Sequence, residues 1–192
     1  MPHQVANVAI MRLPIRTERL VLRPLRAEDI AAHHRMFSDP DVVRYLYEDV
    51  LDLEAATAHL QSRLSVEVPA EGQWLNLAVE CDGDLIGEVG ARVVSQEHRQ
   101  CEIGYGFAPE AGGQGFATEA ASAIVRLCFD EFGAHRVVGR IDARHHKSAR
   151  VLERLGMRRE AHLRENEFIK GEWIDEMVYA ITEGEPRPAI QG

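Results

Sequence analysis

Between Glu102 and Ala120 the chain reads Glu-Ile-Gly-Tyr-Gly-Phe-Ala-Pro-Glu-Ala-Gly-Gly-Gln-Gly-Phe-Ala-Thr-Glu-Ala. The pattern is a strand, a glycine-rich turn and a helix start. Glycines let the backbone approach an anion closely, and the first-turn amides and positive dipole end of a helix point at it. A phosphate-bearing ligand is the expectation, although the same glycines also end strands and loosen surface loops. A Walker loop needs Lys and then Ser or Thr after its last glycine, and Phe116 and Ala117 follow Gly115 here, which excludes it. A dinucleotide fingerprint would take Thr118 as its third small residue, but it belongs at the first strand-to-helix turn of a parallel sheet. An antiparallel meander precedes this loop.

The segments that must position the loop are read from hydrophobic period. Arg19 to Leu25 alternates and meets Pro24, a short half-buried strand. Helices follow it: Leu53, Ala56, Leu60 and Leu64 recur at helical spacing behind Asp52, whose carboxylate can accept the first free amides. Trp74 to Glu80 and Leu85 to Val94 flank Asp82-Gly83, which supplies the positive φ angles of a tight hairpin. Gln100 to Phe107 makes a third antiparallel strand. Ala120, Ile124, Leu127, Cys128 and Phe132 then give an amphipathic helix that stops at Gly133. Arg136 to Ile141 is a strand, Lys147 to Leu155 a helix ended by Gly156, and Met157 to Leu163 and Trp173 to Ile181 are the last strands. A β-meander followed by β-α-β-α-β-β is a mixed α/β layer architecture.

The 192 residues suit one domain, since domains run to roughly 100–200 residues. Its core spans about residues 14–182, and Glu183 to Gly192 reads as a loose tail. The apolar share of 45% and charged share of 28% are those of a folded globular protein. A formal charge of −9 argues against nucleic acid, whose binding rests on Lys and Arg at phosphates. It favours a cationic partner. Met1 to Leu13 lacks the plan of a secretory signal, and no run of about 18 apolar residues appears, so no membrane partner and a cytoplasmic location are expected. Cys81, Cys101 and Cys128 are widely spaced and read as plain buried thiols. His145 and His146 are adjacent and do not converge on one ion, so no metal is expected.

Taken together these motifs resemble the GNAT superfamily, within it the branch of RimJ/RimL-type protein N-terminal acetyltransferases. The resemblance begins at Thr17-Glu18-Arg19-Leu20-Val21-Leu22-Arg23-Pro24-Leu25 and continues through Leu85-Ile86-Gly87-Glu88, Glu102-Ile103-Gly104-Tyr105 and the glycine loop. It closes with Ser148 to Met157 and Gly171-Glu172-Trp173. It implies a central, mostly antiparallel sheet with splayed strands flanked by helices, and acetyl-coenzyme A as co-substrate. The backbone of Gly112, Gly113, Gln114, Gly115, Phe116, Ala117 and Thr118 would cradle the pyrophosphate, with Phe107 and Ala108 pairing with the pantetheine arm. His145, where relatives often carry Asn, would touch the cofactor. A tyrosine that serves many relatives as general acid is Leu152 here.

On that reading Glu102 takes the proton of an incoming ammonium, directly or through water, and Ser148 bonds the thioester sulfur or protonates the departing thiolate. The structural alternatives are an ion pair of Glu102 with Arg99 or Arg136 and a helix cap by Ser148. Tyr45, Trp74, Trp173 and Glu88 are candidates for the acceptor pocket, the aromatics otherwise being core. The amine attacks the thioester carbon in a ternary complex, so no covalent enzyme intermediate is needed. An acyl-cysteine at Cys101 is disfavoured because no positive neighbour lowers its pKa. The alternative function is a non-catalytic acyl-coenzyme A sensor. The acceptor is a protein N-terminal or small-molecule amine, and a homodimer is the default symmetric assembly.

Overall fold

The computed structural model describes residues 11–65 and 69–186. Residues 1–10 and most of the expected tail, 187–192, lie outside the described residues. One eight-stranded sheet runs through the described chain in the order β1-β2-β3-β4-β5-β6-β8-β7. Its strands are β1 (Ile15–Arg16), β2 (Val21–Pro24), β3 (Trp74–Cys81), β4 (Asp84–Ser95), β5 (Gln100–Phe107), β6 (Arg136–Asp142), β7 (Arg158–Ile169) and β8 (Glu172–Thr182). Neighbours are antiparallel except β5 and β6. The helices are α1 (Ile30–Phe37), α2 (Pro40–Val43), α3 (Leu53–Ser62), α4 (Phe116–Asp130) and α5 (His146–Arg154). This is the expected mixed α/β sheet flanked by helices.

Local chemistry explains the boundaries. Asp52 caps α3 by accepting from the Ala55 amide at 2.9 Å. Asp82 and Gly83 take φ of 51° and 91°, the double positive φ that joins β3 to β4 in a tight turn. Side-chain alternation divides the sheet into two faces. Leu77, Val89, Ile103, Val137 and Ile181 point to one, where they form the main core with Ala120, Ile124 and Cys128 of α4 and Leu152 of α5. Burying each large aliphatic there contributes about 1.5–3 kcal/mol. On the other face Leu25, Ala78 and Leu85 meet Leu60 of α3. Met36 and Phe37 of α1 pack with Val43 of α2 in a third cluster. The second face carries the polar residues of the site.

β7 is longer than the sequence expectation, which ended it at Leu163. It continues to Ile169 after a register shift between Leu163 and Glu167, with Glu165 at φ 48°. Long-range pairing with β8 holds this charged segment extended where local hydrophobic alternation gives no signal.

Candidate active site

β5 and β6 pair in parallel from Gln100↔Arg136 to Ile103↔Gly139, and there the ladder between them stops. β5 stays paired with β4 to Phe107, and β6 with β8 to Asp142. Two backbone edges therefore face each other across a wedge without bonds between them. An extended polar chain can add to such an edge by main-chain hydrogen bonds. Phe107 and Ala108 stand at its mouth, with the Ala108 amide already given to the Ile86 carbonyl at 3.0 Å.

The glycine loop crosses that mouth. Pro109–Ala111 makes a short 3-10 turn, and Gly113 and Gly115 hold φ of 79° and 83°, a left-handed conformation that favours glycine. Among the described residues the amides of Gly113 to Thr118 donate to no backbone carbonyl. Thr118 Oγ1, in the first turn of α4, is buried with no partner. A buried hydroxyl without a partner is costly. An orphaned donor beside a row of free amides at a helix N-terminus fits a pyrophosphate-bearing group.

The loop is fastened from a place the sequence did not reveal. Glu119 accepts from Thr17 Oγ1 at 2.6 Å, the Arg19 amide at 2.9 Å and Arg19 Nε at 2.8 Å. Arg19 Nη1 donates to the Gln114 carbonyl at 2.9 Å, and its guanidinium lies 4.6 Å from the Phe116 ring centre. Burial opposes ionisation of Glu119, but the bonds from Thr17 and Arg19 outweigh it and hold the carboxyl below its ordinary range.

Across the wedge, Ser148 Oγ lies 2.8 Å from the Tyr105 hydroxyl, which also reaches the Ser148 carbonyl at 3.2 Å. Ser148 does not cap α5; the N-cap position is His145, which makes no side-chain cap bond. Burial pushes the Tyr105 phenol up, so it stays protonated. The pair is thus two neutral hydroxyls, one on β5 and one on α5. Tyr105 escaped the sequence reading although it stands in the Glu-Ile-Gly-Tyr motif. Half-buried His145 stacks on Tyr45, ring centres 4.5 Å apart, and burial depresses its basicity against the opposing pull of Asp142.

The second sheet face carries the carboxylates. Trp74, Glu88, Arg92, Glu102 and Gly104 share it, as do Arg140 and Glu176. Glu102 is buried and bonded through Oε2 to Arg92 at 2.8 Å, with Arg140 at 3.8 Å. Its partners are therefore not the expected Arg99 and Arg136, which bind Glu183 and Glu160. Glu176 accepts from Arg140 and Asn166, both at 3.0 Å, and burial raises its pKa. Tyr47, exposed on the loop after α2, donates to Glu167 at 2.6 Å. A Cβ on Gly104 would lie 3.2 Å from Trp74, while one on Gly106 would meet nothing within 4 Å, so there is open space beside Glu88.

The structure does not bring Trp173 to this group. It is 61% exposed near the β7–β8 turn, against Phe168, and alternation puts it on the face opposite Glu176. Cys101 points into the main core and Cys128 is wholly buried, while Cys81 is half-buried; all three are free thiols. Among the described residues no cluster of His, Cys, Asp and Glu could hold a metal ion, and no helix is long and apolar enough to cross a membrane.

Residues 19–158 match the family described as an acetyltransferase (GNAT) domain. The chain is 30% identical over 169 residues to the uncharacterized N-acetyltransferase YoaA of Bacillus subtilis, covering 88% of this chain and 96% of that protein. It is 27% identical over 152 residues to the spermidine N(1)-acetyltransferase of Escherichia coli, covering 79% and 80%. A solved GNAT-family acetyltransferase from Bacillus anthracis superposes with a TM-score of 0.81 at 31% identity, over 90% of this chain and 100% of that one.

Proposed function

The chain belongs to the GNAT acetyltransferase family and is an acetyl-coenzyme A-dependent N-acetyltransferase, and we propose that its acceptor is a primary amine that arrives as a cation. The observation that carries this is the second sheet face, which holds the buried carboxylates Glu88, Glu102 and Glu176 and has open space over Gly106, the strand partner of Glu88. An ammonium is drawn to carboxylates held in a partly desolvated cleft. The relationship to a spermidine N(1)-acetyltransferase supports a small polyamine. The RimJ/RimL-type resemblance in the opening strand supports a protein N-terminal amine, and both are cations of the same chemistry.

Acetyl-coenzyme A supplies an activated acyl carbon and a thiolate leaving group. In our reading the amides of Gly113 to Thr118, with Thr118 Oγ1, hold the pyrophosphate, and the free edge of β5 up to Phe107 and Ala108 holds the pantetheine arm. His145 and Tyr45 border the wedge. Glu102 takes the ammonium proton through its less engaged oxygen, Oε1. Ser148 gives its hydroxyl proton to the leaving sulfur, with Tyr105 as the donor behind it. Trp74 bounds the acceptor and Glu88 binds its positive charge. Proximity on a preorganised edge supplies most of the rate.

The test is release of free thiol from acetyl-coenzyme A by the purified protein, with a panel of polyamines, peptides with free N-termini and aminoglycosides. Acceptor-dependent thiol release supports the reading and ranks the acceptors. Coenzyme A binding with no thiol release from any amine would refute it and leave a non-catalytic acyl-coenzyme A sensor.

A further inference from the structure

The loop read as the coenzyme cradle has no charged side chain of its own from Gly112 to Thr118, and the cation that reaches it comes from 95 residues away. Arg19 stands just before β2. Its Nε donates to Glu119 Oε2 at 2.8 Å and its Nη2 lies 2.6 Å from the same oxygen, while Nη1 donates to the Gln114 carbonyl at 2.9 Å. The flat guanidinium also covers the Phe116 ring at 4.6 Å. Arginine presents its N–H groups in a rigid planar fork, so the two bonds to Glu119 decide where Nη1 points. Glu119 is itself fixed by Thr17 Oγ1 and the Arg19 amide.

A carbonyl held in place fixes more than itself. The peptide joining Gln114 to Gly115 is trans, and in a trans peptide the C=O and the N–H lie in one plane and point in opposite directions. With the Gln114 carbonyl turned to Arg19, the Gly115 N–H is turned away from it. Gly115, the N-cap of α4, has φ 83° and ψ −2°, the angles of the third residue of a type II turn. The type I alternative differs by a half-turn of the peptide before that residue, and glycine accepts either sign of φ. Glycine itself thus does not select the direction of this N–H. The Gln114 side chain bonds the Glu110 carbonyl through Nε2 at 3.2 Å, which leaves the 114–115 peptide itself unheld.

We propose that Arg19 is a positioning residue of the coenzyme cradle: by holding the Gln114 carbonyl it keeps the Gly115 N–H aimed at the pyrophosphate, together with the amides that follow in the first turn of α4. The proposal rests on the coenzyme reading above. It makes residues 17–19 part of the cofactor site, acting through the backbone of the loop. Losing the Arg19 bond lets the peptide turn over, and a carbonyl oxygen then takes the place of the donor. A phosphate meets repulsion there instead of a hydrogen bond. Affinity for the coenzyme falls, while the acceptor side, on the second face of the sheet, keeps its geometry.

The experiment compares the parent with Arg19→Met, which keeps an unbranched apolar stem over Phe116 and removes the donor to Gln114. Isothermal titration with coenzyme A, well below each Tm, is expected to show a Kd raised about tenfold or more, as befits a lost hydrogen bond to a charged group. In steady state the KM for acetyl-coenzyme A should rise by a similar factor, with the acceptor KM and kcat each changed less than about threefold. A clasp that only stabilises the fold would lower Tm and leave Kd unaltered, and that result overturns the proposal. So does an acceptor KM that rises as much as the coenzyme KM, the mark of general loosening. Amide NMR reads the peptide directly: saturating coenzyme A is expected to move the Gly115 proton downfield in the parent, as an N–H donating to phosphate does, and to leave it nearly still in Arg19→Met. An equal shift in the saturated variant would show that Arg19 acts by its charge alone, and overturns the assignment. A parent that binds coenzyme A but releases no thiol with any amine strikes the transfer reading and leaves the Kd and NMR results to decide this one. A parent that binds no coenzyme A overturns both.

Discussion

Replacing Gly115 with Val separates the cradle from the fold, because Gly133 offers a matched control near the other end of α4. Both glycines are left-handed, with φ of 83° and 63°. A Cβ at 115 would sit 3.5 Å from Arg19 Nη2, an ordinary contact, and one at 133 would meet nothing within 4 Å. Each substitution therefore costs mainly backbone strain, about 1–3 kcal/mol. A protein of this length loses about 2–4 °C of Tm per kcal/mol. Coenzyme A tells them apart. At about 100 times Kd it stabilises the parent by about 2.7 kcal/mol, a rise of about 5–10 °C. If the valine turns the free amides aside and weakens binding about 100-fold, only about 0.4 kcal/mol remains, or about 1 °C. Thermal unfolding with and without coenzyme A is thus expected to show the full rise for the parent and Gly133→Val and almost none for Gly115→Val. A full rise in Gly115→Val, in a variant already destabilised by its strain, would refute the cradle.

Changing Glu102 to Gln keeps shape and removes basicity, so turnover at neutral pH should fall by about 10²–10⁴-fold, recover in part toward high pH and leave coenzyme A binding intact; near-normal turnover would eliminate Glu102 as the proton acceptor. Tyr105→Phe removes one hydroxyl and should lower kcat more than the acceptor KM, with Ser148→Ala lowering it further, as steady-state kinetics would show. Glu119, held below the ordinary carboxylate range, contributes stability that is present above that range and lost as pH falls through its own lowered value. Glu119→Gln should accordingly unfold at lower temperature than the parent near neutral pH, with the gap closing in acid; a gap independent of pH would show that the clasp with Thr17 and Arg19 is not electrostatic.

Features set by neighbours in the chain were legible before folding. Asp52 announces the start of α3, Asp82-Gly83 the β3–β4 turn, and Gly133 the end of α4, because each acts through its own backbone angles or first-turn amides. The glycine loop was legible for the same reason. What stayed hidden was pairing across the sheet. Thr17 and Arg19 find Glu119 about a hundred residues away, and their motif reads from sequence only as a strand opening. His33 and His59 become partners because α1 and α3 lie side by side over β4, and a histidine on an amphipathic helix gives no hint of that. Glu102 had four arginines nearby in strand register or sequence, and only the β4–β5 register selects Arg92. Trp173 shows the same limit from the other side, since its motif gives no sign that strand alternation leaves it exposed on the face opposite Glu176.

The vacancy at Leu152 also has a physical explanation. Its side chain is buried, and a Cβ on Gly139 would lie 2.7 Å from Leu152 Cδ2, so Leu152 packs directly beneath Gly139, the last β6 residue paired with β5. A tyrosine there would overfill this space, and overpacking a core costs about 1–3 kcal/mol. Gly139 and Leu152 therefore fit as a pair: the absent side chain on the strand admits the branched one on the helix. Ser148 stands one helical turn before Leu152 and remains close to the open wedge, with Tyr105 reaching it from β5. In our proposal the hydroxyl that the family resemblance would put on a tyrosine at 152 is supplied instead by Ser148 and Tyr105, from opposite walls. On the proposed reading the donor pair spans the wedge, Ser148 on α5 and Tyr105 on β5, so its alignment depends on how β5 splays from β6.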